Sequence, residues 1–294
     1  MTVRQSALLD RVRRFGRPVF FFVLQQSAIL LSGIACLRIL GALTGHTVHG
    51  AASAVGPAEG AAILLMYAVH LGLTVGIFRW AKGTREALGL RPSWRRAKQF
   101  AVGALAAFIL FGAPWLAGLA MGRAHVADSV GEHRDASSTL QVSFWLVALV
   151  VNSFVEEAMS RAFPMRLFSD RSLLFRVLMP SLVFAALHLA DEGFSASALA
   201  SRTMIAVPLG LAYAATDDIW LAAGIHTGVN YAIIWRSGAW HAGSLVLLAG
   251  EPIASDDVAA VGCAVLAIGA HHLWRRSRGG ETIGARNDAL QRTR

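Results

Sequence analysis

The chain has 294 residues, of which 55% are hydrophobic and only 15% charged, with a mean hydropathy of +0.52. That balance excludes an ordinary soluble domain and points to a polytopic membrane protein, with an all-α helical bundle as the fold class, because a helix satisfies its own backbone in lipid. The formal net charge of +9 raises the question of nucleic acid, but its distribution among the loops answers it in terms of the bilayer alone.

In chain order, eight apolar spans are expected, near Val19 to Leu43, Gly60 to Phe78, Gln99 to Met121, Leu140 to Arg161, Val177 to Ala190, Thr203 to Ala215, Ile219 to Trp235 and Val258 to Trp274. The sixth is the least secure, because it falls below the roughly 20 residues of a straight crossing. The first follows a basic segment but, at about 25 residues, exceeds the apolar core of a signal peptide, so it reads as an uncleaved span.

Residues 1–18 carry five arginines, Arg79 to Lys98 carry seven Lys/Arg and Arg275 to Arg294 six, whereas the three stretches Gly122 to Thr139, Asp191 to Arg202 and Ser237 to Asp257 share only Arg123, Arg134 and Arg202. Alternate loops are therefore basic and basic-poor. This places both termini in the cytoplasm, gives the lipid bilayer as a partner and requires no nucleic acid. An inner membrane of the bacterial type fits that topology. The Arg79 to Lys98 loop, with Trp80 and Trp94, reads as an amphipathic elbow at the interface. Cys36 and Cys263, the two cysteines, lie in apolar spans and build neither a disulfide framework nor a cysteine metal site.

The partition expected is an N-terminal part of three spans with the basic loop (1–139), a catalytic helical bundle (140–236), and a last span with a basic tail (237–294). Gly41 with Gly45, and Gly72 with Gly76, have small-xxx-small spacing suited to close helix packing. Gln25, Gln26 and Arg38 in the first span are read as interhelical hydrogen-bonding and snorkelling residues.

The fourth span ends in LVVNSFVEEAMSRAF, with Glu156, Glu157 and Arg161 embedded in apolar sequence. An ionisable group at such depth costs several kcal/mol unless it faces protein or a wet cavity, and so marks a functional site. The fifth span carries His188 four residues after Phe184, and the seventh carries His226 and Asn230, again four apart. Residues at i and i+4 share a helix face, so His226 and Asn230 point the same way. Counting inward from Arg166, Arg176 and Asp218 at roughly 1.5 Å per residue places Glu156, His188, His226 and Asn230 all about 12–18 Å deep.

Glu157 and Arg161 stand in the favourable i, i+4 order for an ion pair and are structural support. Glu156 points about 100° away and is the better general base. Phe184 reads as packing, and His70 as an interhelical histidine with no evident partner. A carboxylate with an imidazole can polarise water, while the second imidazole and the amide stabilise an oxyanion. A zinc site of Glu156, His188 and His226 is the alternative, although the helical His-Glu-x-x-His arrangement is absent.

Glu-Glu-x-x-x-Arg at 156–161, Phe-x-x-x-His at 184–188 and His-x-x-x-Asn at 226–230, in that order on successive apolar stretches, resemble the CPBP family of intramembrane proteases, also called the CAAX protease or Abi family. The likeness extends from about Leu140 to Trp235, a third of the chain, and departs from many members at Ala162, where they have glycine. The resemblance implies an all-helical membrane endopeptidase acting on a membrane-associated protein or peptide. It implies that Glu156 and His188 activate water and that His226 and Asn230 hold the oxyanion. It also implies glutamate-dependent catalysis with no cofactor, a zinc-dependent version being the older description of the family. A non-catalytic scaffold or bacteriocin-immunity protein of the same fold is the alternative function. A proton-relay transporter is a third class, disfavoured by the lack of an internal repeat.

Overall fold

The computed structural model describes residues 3–45, 57–81, 88–129, 136–192, 195–237 and 246–255, and all but 260 and 266 of residues 258–268. The basic segment 275–294 lies outside them, as does part of the eighth expected span. The described chain is a helical membrane protein. Its helices are α1 (Val3–Thr44), α2 (Pro57–Trp80), α3 (Trp94–Ala120), α4 (Ala136–Glu157), α5 (Phe163–Leu167), α6 (Leu173–Glu192), α7 (Ala196–Thr216) and α8 (Trp220–Ser237). A single π-helical turn, Ala158–Ala162, joins α4 to α5.

Five described helices are long and apolar enough to cross a membrane: Phe15–Leu43, Gly60–Trp80, Trp94–Ala120, Ser143–Leu167 and Ala196–Thr216, with Leu173–Leu189 a shorter apolar helix. Large apolar side chains such as Leu31, Leu65, Val102 and Val147 point outward, as a lipid-facing surface requires. The sixth expected span, doubtful for its length, is one of these five. Its N-terminal half was hidden by small and polar residues, and the helix begins at the Ser195 cap, whose side chain accepts from the Ala198 N–H.

One departure from an all-helical chain is a two-stranded antiparallel ribbon, β1 (Ala124–Ser129) with β2 (Val246–Gly250). It pairs segments more than 100 residues apart, which no local pattern signals.

At one end of the bundle α7 stops at Asp217, which adopts the left-handed conformation (φ 59°) that Asp tolerates better than most residues. Asp218 then caps α8, its Oδ1 accepting from the Trp220 N–H at 3.1 Å. Arg96 of α3 pairs with Asp218 at 3.2 Å and Arg166 pairs with Asp217. Trp80 and Trp94 are exposed near this end, in keeping with an interfacial elbow. An aromatic core of Phe21, Phe22, Phe78, Phe163 and Phe168 fills it.

The packing that positions the site is between α3 and α8. A Cβ added at Gly224 would stand 2.2 Å from the Phe100 carbonyl oxygen, and one at Gly228 the same distance from that of Ala104. The two helices therefore run in parallel at backbone contact, which only glycine permits. Three of the glycines singled out by spacing do not behave this way: nothing lies within 4 Å of a Cβ at Gly45, Gly72 or Gly76. With one face of α8 pressed on α3, His226, between the two contact glycines in sequence, faces α4.

Candidate active site

Glu156 and Glu157 are the last residues of α4, and Arg161 lies in the π turn that follows. The cause of that turn is Pro164. Proline has no N–H for the carbonyl four residues back and its ring crowds that carbonyl, so the chain widens by a residue and the Phe163 N–H bonds Ala158 at i→i+5. Single π turns of this kind are frequent at functional sites.

Glu157 and Arg161 are both buried, at 0% and 1% exposure, and their charged atoms are 3.3 Å apart. Arg161 also donates from Nη2 to the Ala206 carbonyl of α7 at 3.4 Å, and its guanidinium stands 4.3 Å over the Phe184 ring. A desolvated cation–π contact of this kind stabilises by about 2 kcal/mol. The ion pair expected from the spacing is present, and Phe184 has more than a packing role in it.

Glu157 has a second partner that spacing did not reveal. Its Oε1 is 2.9 Å from Nδ1 of His226, a side chain that is itself buried. The opposite ring nitrogen, Nε2, lies 3.4 Å from Oε2 of Glu156, an ion-pair distance without hydrogen-bond geometry, so that this buried oxygen has no hydrogen-bond partner. One imidazole is thus bracketed by two carboxylates. Glu157 is fully buried and bound to Arg161, whereas the Glu156 side chain retains 21% of its exposure. With Arg161 counted, the four charges sum to zero when His226 is imidazolium and to minus one when it is neutral.

His188, half-buried on α6, donates from Nδ1 to the Phe184 carbonyl of its own helix at 2.9 Å, which leaves Nε2 as the acceptor. Its ring centroid is 4.3 Å from that of Phe184, which is 5.9 Å from that of His226. Both histidines thus neighbour one phenylalanine. Among the described residues His188 forms no ion pair with Glu156; the imidazole paired with that carboxylate is His226. Asn230 lies one turn beyond His226 on the same helix, half-buried. Two residues of α2 not assigned to the site from sequence, Tyr67 and His70, are within electrostatic reach of Glu156. His70 is buried, and its Nε2 has no hydrogen-bond partner among the described residues.

Among the described residues no three His, Cys, Asp or Glu side chains are arranged to hold a metal ion. The alternative ligand set of Glu156, His188 and His226 is not assembled in this arrangement; Nδ1 of His226 is bonded to Glu157 and Nδ1 of His188 to a main-chain carbonyl, which leaves Nε2 as the free nitrogen of each ring.

Residues 138–232 match the family model for type II CAAX prenyl endopeptidase, Rce1-like. That segment contains every residue of the constellation from Glu156 to Asn230. No curated protein and no solved structure matches the chain.

Proposed function

We propose, from the match of residues 138–232 to the type II CAAX prenyl endopeptidase model, that this chain is an intramembrane endopeptidase that hydrolyses a peptide bond of a membrane-associated protein or peptide with Glu156 as general base. The observation that carries the reading is the pair of unlike carboxylates on His226: one buried and neutralised by Arg161, the other half-open and without a hydrogen-bond partner. Environments that separate two carboxylates in this way assign them different roles.

In the proposed reaction Glu156 takes a proton from water, and the oxygen adds to the scissile carbonyl carbon. His188, fixed as an Nε2 acceptor, orients that water. The negative charge that develops on the carbonyl oxygen is met by the Nε2–H of His226, taken as imidazolium, and by the Asn230 amide. Collapse of the adduct breaks the C–N bond, and the proton passes from Glu156 to the leaving amine. Glu157 fixes the ring of His226, and Arg161 offsets the second buried charge. No metal takes part. The catalytic part is 140–236, and the chain lies in a bacterial-type inner membrane with both termini cytoplasmic.

The test is cleavage of a library of membrane-associated peptides by the purified protein in detergent, wild type against Glu156→Gln. Cleavage by wild type and none by the variant supports the reading. Folded wild-type protein that cleaves nothing, or equal cleavage by both, would return the chain to the scaffold or immunity class.

A further inference from the structure

The π turn leaves a main-chain carbonyl that its own helix cannot satisfy. In the i→i+5 pattern set by Phe163 and Ala158, the donor to the Met159 carbonyl would be residue 164, and Pro164 has no N–H. The bond comes from outside. Gln25 of α1, 0% exposed, donates from Nε2 to the Met159 carbonyl at 3.4 Å and to Thr74 Oγ1 of α2 at 3.2 Å. Its own carbonyl oxygen accepts from the Gln26 Nε2 at 2.6 Å. Every donor and acceptor of that amide is therefore directed, and an apolar residue in its place would leave the Met159 carbonyl unpartnered in the interior.

Met159 lies between Glu157 and Arg161, so the point held by Gln25 is inside the segment whose charges bracket His226. We propose that Gln25, oriented by Thr74, is a positioning residue for the Glu156–Glu157 pair: it supplies the hydrogen bond that Pro164 withholds and so fixes the register of the π turn. The inference rests on the active-site reading for its catalytic consequence, but its geometric part stands alone. It also gives α1 and α2, which lie outside the family segment, a role in the site. Loss of the amide would leave the Met159 carbonyl unpartnered and let the turn shift to find another donor, moving Glu157 away from Nδ1 of His226.

The test is a double-mutant cycle of Gln25→Met and Pro164→Ala, read by the nitrogen-15 resonances of His226 in the detergent-solubilised protein, assigned by their loss in His226→Ala. Gln25→Met should shift the Nδ1 resonance, and Pro164→Ala, which restores an N–H, should reduce the shift at least twofold when combined with it. Thr74→Val should give the same displacement to a smaller degree, and serves alone if Gln25→Met does not fold. Unchanged His226 resonances in Gln25→Met and Thr74→Val, or strictly additive effects in the cycle, would overturn the inference. On a peptide cleaved by wild type, Gln25→Met should lower kcat about 10- to 100-fold with KM within about twofold. Moved resonances in a wild-type protein that cleaves nothing would support the positioning role and count against the peptidase; unmoved resonances in an active wild type would do the reverse.

Discussion

Replacing Arg161 by methionine tests the electrostatics of the site apart from its chemistry. The change keeps an unbranched side chain of similar length and removes three interactions at once: the 3.3 Å pair with Glu157, the bond to the Ala206 carbonyl and the cation over Phe184. Glu157, at 0% exposure, then retains only His226. Breaking one partner of a buried ion pair costs about 3–5 kcal/mol, because the other charge is left uncompensated. The remaining His226 contact offsets part of this and the lost cation–π contact, about 2 kcal/mol, adds to it, so about 4 kcal/mol is expected. Against a total stability of about 5–15 kcal/mol that is a large fraction, and it should lower the unfolding midpoint in detergent by on the order of 10 °C. Adding Glu157→Gln removes the stranded charge while leaving an acceptor for His226, so the double variant should recover about half of the loss. Thermal unfolding of the single and double variants supplies the cycle. A double variant no more stable than Arg161→Met would refute the argument that the cost is an uncompensated carboxylate.

His226→Ala and Asn230→Ala should each remain folded and lose about 10²–10³ in turnover, the usual effect of removing one oxyanion donor; an Asn230→Ala protein that cleaves at the wild-type rate would remove that residue from the site. Gly228→Leu places a side chain where the α3 backbone lies at 2.2 Å and should abolish folded protein in size-exclusion profiles, whereas Gly72→Ala, with nothing within 4 Å, should leave both yield and unfolding midpoint unchanged. Purified protein should contain no stoichiometric zinc by elemental analysis and keep its activity after chelation; one tightly held zinc whose removal stops cleavage contradicts this. For topology, in a background lacking Cys36 and Cys263, Ser169→Cys should react with a membrane-impermeant thiol reagent from the cytoplasmic face and Ala196→Cys from the opposite one, and the reverse pattern would invert the orientation.

Part of the proposed site was legible because charge inside an apolar run is rare and because i, i+4 spacing reports a shared helix face: the candidates Glu156, His226 and Asn230 follow from those two facts, and the structure brings the first two within 3.4 Å. The Glu157–His226 bond did not, since it depends on how closely α8 approaches its neighbours, and that is set by Gly224 and Gly228 against the backbone of α3. Glycine spacing alone is a weak guide to such contacts. It drew attention to Gly72 and Gly76, which have open space, as readily as it could have to the pair that matters. The π turn had a visible signal in Pro164, three residues after Arg161, but reading it required knowing that the helix continues past the charges to Leu167. The length of α7 was concealed by Ser195, Ser197 and Ser201, whose hydroxyls lower apparent hydropathy without preventing a helix. The ribbon of β1 and β2 joins distant segments, a tertiary pairing that no local pattern carries.

The central claim is that Glu156 cuts peptide bonds in membrane-associated proteins, and the most direct measurement needs no substrate chosen beforehand. Membranes from cells producing wild-type protein or Glu156→Gln, at matched levels and with matched unfolding midpoints, would be compared by mass spectrometry of newly formed protein N-termini. The account predicts a small set of N-termini, within or beside membrane segments, present with wild type and absent with Glu156→Gln. The same set from both would contradict it.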